Sequence, residues 1–473
     1  MMHKLERWFQ AAKAHYPWEY MALIICSYVF PAVYGILNRY FIGYMDYDSV
    51  VVDQSFEALE VVFEVVLEMF PLAVLALIAR HYTQAEKVKS VILASILLQS
   101  MITAAFVILT LAFMPGFIDW INTPASVTGL AEHYFRIKAF SFPLQAMAAI
   151  FVISIKALKK GKLAVLLSLA TVLANFLLDA AFISNYTFSL RLGLIGSAWD
   201  NFLANLFSCC LSGGVLWYYL RGKKRTELSF HSFWDTTKQI FKIGKWTGLE
   251  SAVRNVGYIM GVVAVVNLIG ATEPSAIGGY NTAMWIMWVI TLVPVLAWTE
   301  ATNIAVGHAY GERKVQAMKD IQALSTLLMV IYMGAWVVIG GLWWGGISKW
   351  LNSGISEEVA LYSVLAFQVL IVPYIFFVIG SGLKAFFIGT GNPAWVFLSS
   401  AIVNVAIYIP LGLATGTPGF VLTFQGFLWI TFVVFSLDLV LTMLFLKYRG
   451  YSRLPELSSQ PDTARPDIPK GKP

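Results

Sequence analysis

Runs of twenty or more predominantly apolar residues recur from about Met21 to about Leu446, separated by short polar or basic segments. In hydrocarbon such a run has one economical open-ended conformation, the α-helix, which satisfies every backbone N–H and C=O within the segment. The chain has 473 residues, of which 58% are hydrophobic and 13% charged, and its mean hydropathy is +0.71. A soluble domain carries about twice that share of charge. The composition therefore excludes a soluble enzyme or nucleic-acid-binding protein and predicts an all-α, polytopic membrane protein. The three cysteines, Cys26, Cys209 and Cys210, lie in apolar segments and imply neither a disulfide framework nor a metal centre.

Twelve spans are predicted, at about 21–44, 55–79, 88–113, 130–155, 163–184, 193–220, 241–269, 275–307, 317–346, 357–383, 394–414 and 420–446. Of the 33 Lys and Arg residues, 27 fall in the N-terminus, the C-terminus and the loops after even-numbered spans, whereas the loops after odd-numbered spans hold 2. Basic residues stay on the cytoplasmic side, so both termini are expected there, in the inner or plasma membrane of a prokaryotic cell. Residues 1–20 read as an interfacial amphipathic helix. The largest basic segment, 221–240, separates an N-lobe at 21–220 from a C-lobe at 241–447, and 448–473 reads as a disordered cytoplasmic tail. Pro31, Pro71, Pro143, Pro294 and Pro373 fall inside spans and are expected to kink them.

The two lobes resemble each other at an offset of about 227–230. His81 with Lys87-Val88 answers to His308 with Lys314-Val315, Asn175 to Asn404, and Gly196-Ser-Ala-Trp199 to Gly426-Phe-Leu-Trp429. Six is an even number of crossings, so the halves share one orientation. Their pseudo-two-fold axis would run along the membrane normal, with a substrate site between them.

Several of these positions carry a resemblance to the multidrug and toxin extrusion (MATE) transporters of the MOP flippase superfamily. Asn175-Phe-Leu-Leu-Asp179 resembles the family's fifth-span Asn-x-x-x-Asp, and Gly193-Leu-Ile-Gly196-Ser-Ala198 its sixth-span Gly-x-x-Gly-small-Ala. Val306-Gly-His-Ala-Tyr-Gly311 resembles its exit from span 8, Gly389-Thr-Gly-Asn-Pro393 its loop before span 11, and Gly43 the end of its first-span motif. The resemblance covers nearly the whole chain. It implies a V-shaped pair of six-helix lobes and alternating access, with efflux of cationic or lipophilic compounds driven by Na⁺ or H⁺. The chain also departs from the pattern. Asn38, followed by Arg39, stands where the family has its first-span acid, and Asp200-Asn201 replaces its Ala-Thr.

One feature lies outside the resemblance. Glu57, Glu60, Glu64 and Glu68 stand three, four and four residues apart in an otherwise apolar span. On a helix they fall within an arc of roughly 80° and rise about 16 Å, around half of a bilayer core. A carboxylate facing lipid costs about 2.5–3.5 kcal/mol on the gentlest scale, so the stripe must line a polar interior. Arg39 is one expected partner for it, or else an interfacial residue facing Asp46 and Asp48. Asp179 with Asn175 one turn before it suits a sodium ion or a proton, with a structural interhelical hydrogen bond as the alternative.

Glu250 and Arg254, four apart, form either a mutually neutralised pair or a cation or proton site in the second lobe. Asp200, Asn201 and Asn38 complete the candidate cation- or proton-binding set. Trp285 and Trp288, with Arg39, are the candidate substrate contacts, although packing or anchoring is the commoner role of such tryptophans. Glu300 and Asp438 are weaker candidates that suit helix–helix contacts. There is no phosphate loop, nucleophile motif or metal motif, so neither enzyme activity nor a cofactor is expected, only transported Na⁺ or H⁺. The expected function is secondary active efflux of an organic cation or lipophilic drug by a monomer among membrane lipids. The alternative is a lipid or lipid-linked glycan flippase.

Overall fold

The computed structural model describes residues 2–42, 47–120, 127–184, 186–221, 230–352 and 354–451. Among these residues every regular element is a helix. A short α1 (Met2–His15) leads into α2 (Trp18–Ile42), the first span. Eleven further stretches are long and apolar enough to cross a membrane, from Leu59–His81 to Phe424–Gly450. With α2 they make the expected twelve crossings.

In the first half, span 2 is two helices, α3 (Tyr47–Met69) and α4 (Pro71–His81), followed by α5 (Ala85–Trp120), α6 (Thr128–Ala157), α7 (Gly161–Phe182) and α8 (Gly193–Arg221). Pro71 breaks span 2 because it has no N–H to donate, and it is tolerated where it opens α4. Pro31, Pro143 and Pro373 instead lie inside continuous helices. The second half begins with α9 (Phe230–Tyr258) and α10 (Ala264–Gly270), then α11 (Pro274–Ile286), α12 (Val293–Gly311), α13 (Val315–Leu351) and α14 (Glu357–Gly389). It closes with α15 (Ala394–Val403), α16 (Ile409–Thr415) and α17 (Phe424–Phe445). Residues 230–240, expected in the basic linker, form the first turns of α9. The amphipathic start of that helix keeps the mean hydropathy low, so a hydropathy criterion places the span too late.

Three spans of the second half are interrupted by single π-helical turns, at Ile259–Val263, Met287–Leu292 and Asn404–Tyr408. A π turn inserts one residue and re-aims the side chains beyond it. Pro294 opens α12 just past the second of these turns, which accommodates its missing donor.

Most packing stays within a half. In the first, α6 packs on α5 and α8, and α7 on α2 and α8; in the second, α14 packs on α11, α12, α13 and α17. One apolar core lies entirely within the second half, around Tyr280, Trp344, Phe367 and Phe427, and another within the first, around Phe56, Phe63, Tyr134 and Phe142. The halves meet along two lines: α12 lies against α2 and α4, and α9 against α3, α4 and α5. The N-terminal segment is tied to the second half. Ala12 and Tyr16 are buried against α12 and α13, and His15 Nδ1 lies 3.0 Å from Asp320 Oδ2.

The duplication is visible in the backbone. Between α4 and α5 three residues intervene, 82–84, and between α12 and α13 three residues at an offset of 230, 312–314. His81 therefore answers to Gly311 rather than to His308, a correction to the pairing read from the sequence. The turn after α6 places Lys159 at φ 61°, and the turn after α14 places Gly391 at φ 72° with the same pattern of backbone hydrogen bonds. Asn175 and Asn404 each donate from Nδ2 to the carbonyl four residues earlier, Thr171 O at 3.0 Å and Ser400 O at 2.8 Å.

The halves approach most closely at the end carrying the basic loops. A Cβ on Gly311 would fall onto the Arg80 carbonyl oxygen, a backbone atom that cannot swing aside. Gly311→Ala is expected to force α4 and α12 apart there. Overpacking of this kind costs about 1–3 kcal/mol, which a lowered thermal unfolding midpoint in detergent would report; an unchanged midpoint would mean the two helices are not held at this distance.

Candidate functional site

The acids of α7 and α8 converge in the first half. The Asp179 side chain is buried on α7, and Asp200, also buried, faces it from α8. Tyr34, on α2, donates its hydroxyl to Asp179 Oδ2 at 2.5 Å. The remaining oxygen of each carboxyl, Oδ1, is buried and receives no hydrogen bond from the described residues. Two carboxyl groups in contact, with orphaned buried oxygens, have the chemistry of a site that holds one cation or a shared proton. Lys138 on α6 acts on Asp200 from nearby and lies 3.8 Å from Glu60, with its ammonium 5.4 Å from the centre of the Phe56 ring. Tyr134 donates to Asp53 at 2.6 Å beside them.

The predicted neighbours of Asp179 are arranged differently from the expectation. Asn175 turns its Nδ2 back to its own helix, which leaves Oδ1 as the only group it can offer a cation. Asn201 serves a polar contact between α6 and α8, accepting from Ser141 at 3.0 Å and from Asn205 at 3.2 Å. The side chains of Asn38, Arg39 and Glu57 lie outside the described residues, as do Asp46 and the side chain of Asp48.

The stripe on α3 divides between two basic partners. Glu60 goes with Lys138 of its own half. Glu68 Oε2 accepts from Arg254 at 2.5 Å, and Glu64 Oε1 lies 3.7 Å from the same guanidinium, which belongs to α9 of the other half. Glu250, one turn before Arg254 on α9, approaches it at 3.7 Å. Asn255 adds bonds to the Val61 carbonyl at 2.8 Å and to Glu64 at 3.3 Å. The pair Glu250–Arg254 is thus part of a set in which three carboxylates share one guanidinium across the α3–α9 line.

Trp288 stands perpendicular to Tyr374 with ring centres 6.3 Å apart and is tilted against Phe377 at 6.2 Å, and Trp285 packs at the edge of the same core. Trp298 donates to the Tyr16 hydroxyl at 2.6 Å and so ties α12 to the N-terminal segment. Asp438 is bound by Lys384 at 2.7 Å within the second half.

Polar contacts lock the halves together at the basic-loop end. Lys156 at the end of α6 reaches Glu300 of α12 at 3.1 Å; their side chains are only 5% and 15% exposed, and the ammonium also sits over the Tyr28 ring. His308 Nε2 bonds the Ala157 carbonyl at 2.8 Å, and Arg80 donates to the Thr390 carbonyl at 2.7 Å. In the turns, Tyr82 donates to Glu312 at 2.6 Å, and Lys314 and Lys159 approach that carboxylate at 2.7 and 3.6 Å. Burial alone would raise the Glu312 carboxyl, but the bonds from Lys314 and Tyr82 and the charge of Lys159 outweigh it and hold it below its ordinary 4.5. Burial, aided by Glu312, pushes the Tyr82 hydroxyl up to about 12.

Sequence reading missed Tyr34 and Lys138 as site residues, and it gave Glu300 as suited to a helix–helix contact without its partner Lys156. Tyr34 stood one helical turn before Asn38, on the same face, and was legible in principle. Partners on distant helices leave no local signal.

The comparisons with known proteins agree with this architecture. Residues 250–414 match the MatE family model. A MATE solved in complex with MaL6 is 17% identical, with TM-score 0.78 over 93% of this chain and 96% of its own. An outward-facing multidrug resistance MATE family transporter of the MOP superfamily is 16% identical, with TM-score 0.77 over 93% and 95%. A MOP superfamily transporter from Pyrococcus furiosus Vc1, described as having a binding pocket of reverse polarity, is 15% identical, with TM-score 0.77 over 93% and 95%. The chain matches no curated protein. At such identities the structures establish the fold: an all-α membrane protein of MATE architecture with two six-helix lobes.

Two outcomes follow for the locked end. Removing one partner of a buried ion pair strands the other charge and costs about 3–5 kcal/mol, whereas an apolar replacement of both is close to neutral. Lys156→Met alone is therefore expected to lower the unfolding midpoint sharply, and adding Glu300→Leu to restore most of it; additive losses would mean that the two side chains do not sense each other. Glu312 has a depressed pKa in the folded state, so its stabilising contribution is full above about pH 4.5 and is lost as pH falls through the folded value. The stability gap between wild type and Glu312→Gln should accordingly close on acidification below about pH 4.5. A gap constant down to pH 3 would show that Glu312 carries no charge-dependent contact.

Proposed function

We propose that this chain of MATE architecture is a secondary active efflux transporter, in which Na⁺ or H⁺ binding at the Asp179–Asp200 pair drives export of an organic cation or lipophilic compound. The observation that carries this reading is the pair of buried carboxyl oxygens without donors, placed against Tyr34 in the first half. The resemblance predicts an acid on span 1. Asn38 stands there instead, and Asp200 supplies the second carboxyl from span 6. In this proposal the pair is kept while its second member comes from another helix.

An ion can drive transport only if it favours one arrangement of the halves over the other. With the basic loops cytoplasmic, the contacts of Lys156, Arg80, Tyr82 and His308 close the cytoplasmic side, and this arrangement corresponds to an outward-facing state. Export requires those contacts to part. Arg254, held by Glu64, Glu68 and Glu250, lies on a line where α3 and α9 would have to slide or separate in the same motion. Charge balance around the acid pair favours a cationic cargo: among the described residues Asp53, Glu60, Asp179 and Asp200 lie near one partly buried lysine, Lys138. A flippase for an anionic lipid or lipid-linked glycan would need the opposite balance.

The test is uptake of a fluorescent organic cation into proteoliposomes under an imposed Na⁺ or pH gradient. Asp179→Asn and Asp200→Asn should each reduce gradient-driven uptake about 10- to 100-fold, the usual span of a coupling interaction, with unchanged unfolding midpoints. Titrating wild-type uptake with pH at fixed sodium separates the two ions. Dye levels indifferent to both gradients, with folded protein, would overturn the efflux reading.

A further inference from the structure

At the basic-loop end a cavity of about 670 Å³ opens between the halves. Its walls come from the α1–α2 junction and the turn between α6 and α7 on one side, and from α12 and the start of α13 on the other. Four lysines line it: Lys159, Lys160 and Lys162 from the first half and Lys314 from the second. The acids in its wall are Glu19 and Glu312. Glu19 meets Lys162 at 3.0 Å, and Glu312 is shared between Lys159 and Lys314. Among the described residues Lys160 has no carboxylate partner, and it rests over the Tyr219 ring, 5.0 Å from its centre. Four lysines against two carboxylates leave two positive charges.

From the cavity's size, charge and place in the fold we infer that it is a binding site for a phosphate-bearing anion, and that its occupant bridges the two halves. The volume exceeds what one inorganic phosphate needs and lies within the usual range for a small-molecule pocket. It suits a phosphate with an attached glycerol. Leu23, Leu163 and Ile321 give it an apolar wall, and the cavity sits at the ends of α6 and α12 and the start of α7, the end of the spans that carries the basic loops. An anionic phospholipid headgroup has this chemistry, and so does a soluble glycerol phosphate. Either would draw the lysines of the two halves onto one charge, and so hold the halves apposed. The site is separate from the acid pair of α7 and α8 and does not depend on what is transported.

The full-length protein in detergent is mixed with phosphatidylglycerol, phosphatidylcholine or glycerol 3-phosphate, and thermal unfolding is recorded together with native mass spectra of bound lipid. Phosphatidylglycerol should raise the midpoint more than phosphatidylcholine and be retained preferentially. Each lysine near an anionic headgroup is worth roughly a factor of five in affinity, so K160Q/K162Q should weaken phosphatidylglycerol retention about 25-fold. The charge-matched K238Q/K242Q, on α9 outside the cavity, should leave it unchanged. An equal response to glycerol 3-phosphate, also removed by K160Q/K162Q, would identify a soluble phosphate as the occupant; a response to the lipid alone would identify the headgroup. Equal retention of both lipids by the wild type, or equal loss in both double variants, would overturn the site. The wild-type lipid comparison decides the matter even if K160Q/K162Q does not fold.

Discussion

A charge in a hydrocarbon core must find an opposite charge, water or a polar cavity, since even the gentlest insertion scales assign about 2.5–3.5 kcal/mol to one that does not. That requirement organises the charged interior of this protein. Arg254 is answered by three carboxylates, Lys384 by Asp438, Lys156 by Glu300, and Lys138 by Glu60 with Asp200 nearby. Two apolar cores lie wholly within one half each, while two others and several of these charge contacts cross between halves. The consequence is mechanical. Each half has a hydrophobic core of its own that it can keep during motion, whereas the line between halves combines apolar contacts with charged side chains that water or an ion can solvate once they part.

The exception to the pairing rule is the place with the most chemistry to offer. Asp179 and Asp200 face each other, and among the described residues Tyr34 is the hydroxyl donor on Asp179, with an oxygen of each carboxyl left over. This arrangement is what the proposed cation or proton site rests on. Lys138 is close enough to influence Asp200 and is also drawn to Glu60, so the stripe on α3 is linked to the acid pair through one lysine.

Much of this was legible in the sequence, and the limits have physical causes. The twelve crossings follow from hydropathy, and the largest boundary error is where amphipathic turns extend a span, at the start of α9. The duplication was readable from Asn175 and Asn404, which make the same backbone contact, but His81 and His308 misled, because identity at one turn does not fix register while helix ends do. The cost of the glutamate stripe was clear from the sequence. Its partner was not, because Arg254 lies more than 180 residues away and reads locally as a simple i,i+4 partner of Glu250. Asp200 was visible as a departure from a family pattern, but only the packing of α7 on α8 turns that departure into a pair.

The two-half architecture also explains why the basic-loop end is the strongest part of the seam. Turns that follow helices leave carbonyl groups without intrahelical partners, and here they are used across the halves: Ala157 O by His308, Thr390 O by Arg80. Because the halves are duplicates, each brings such turns to the same membrane face, after α4 and α6 in one and after α12 and α14 in the other. Duplication thus supplies both sides of a latch without any new element. What distinguishes the sides is charge. The turn after α6 carries Lys159 and Lys160 where the turn after α14 has Gly391 and Asn392. The proposed anion site rests on this asymmetric charge on a symmetric latch: an anion there would bias the equilibrium between arrangements independently of the cation or proton site proposed at Asp179 and Asp200.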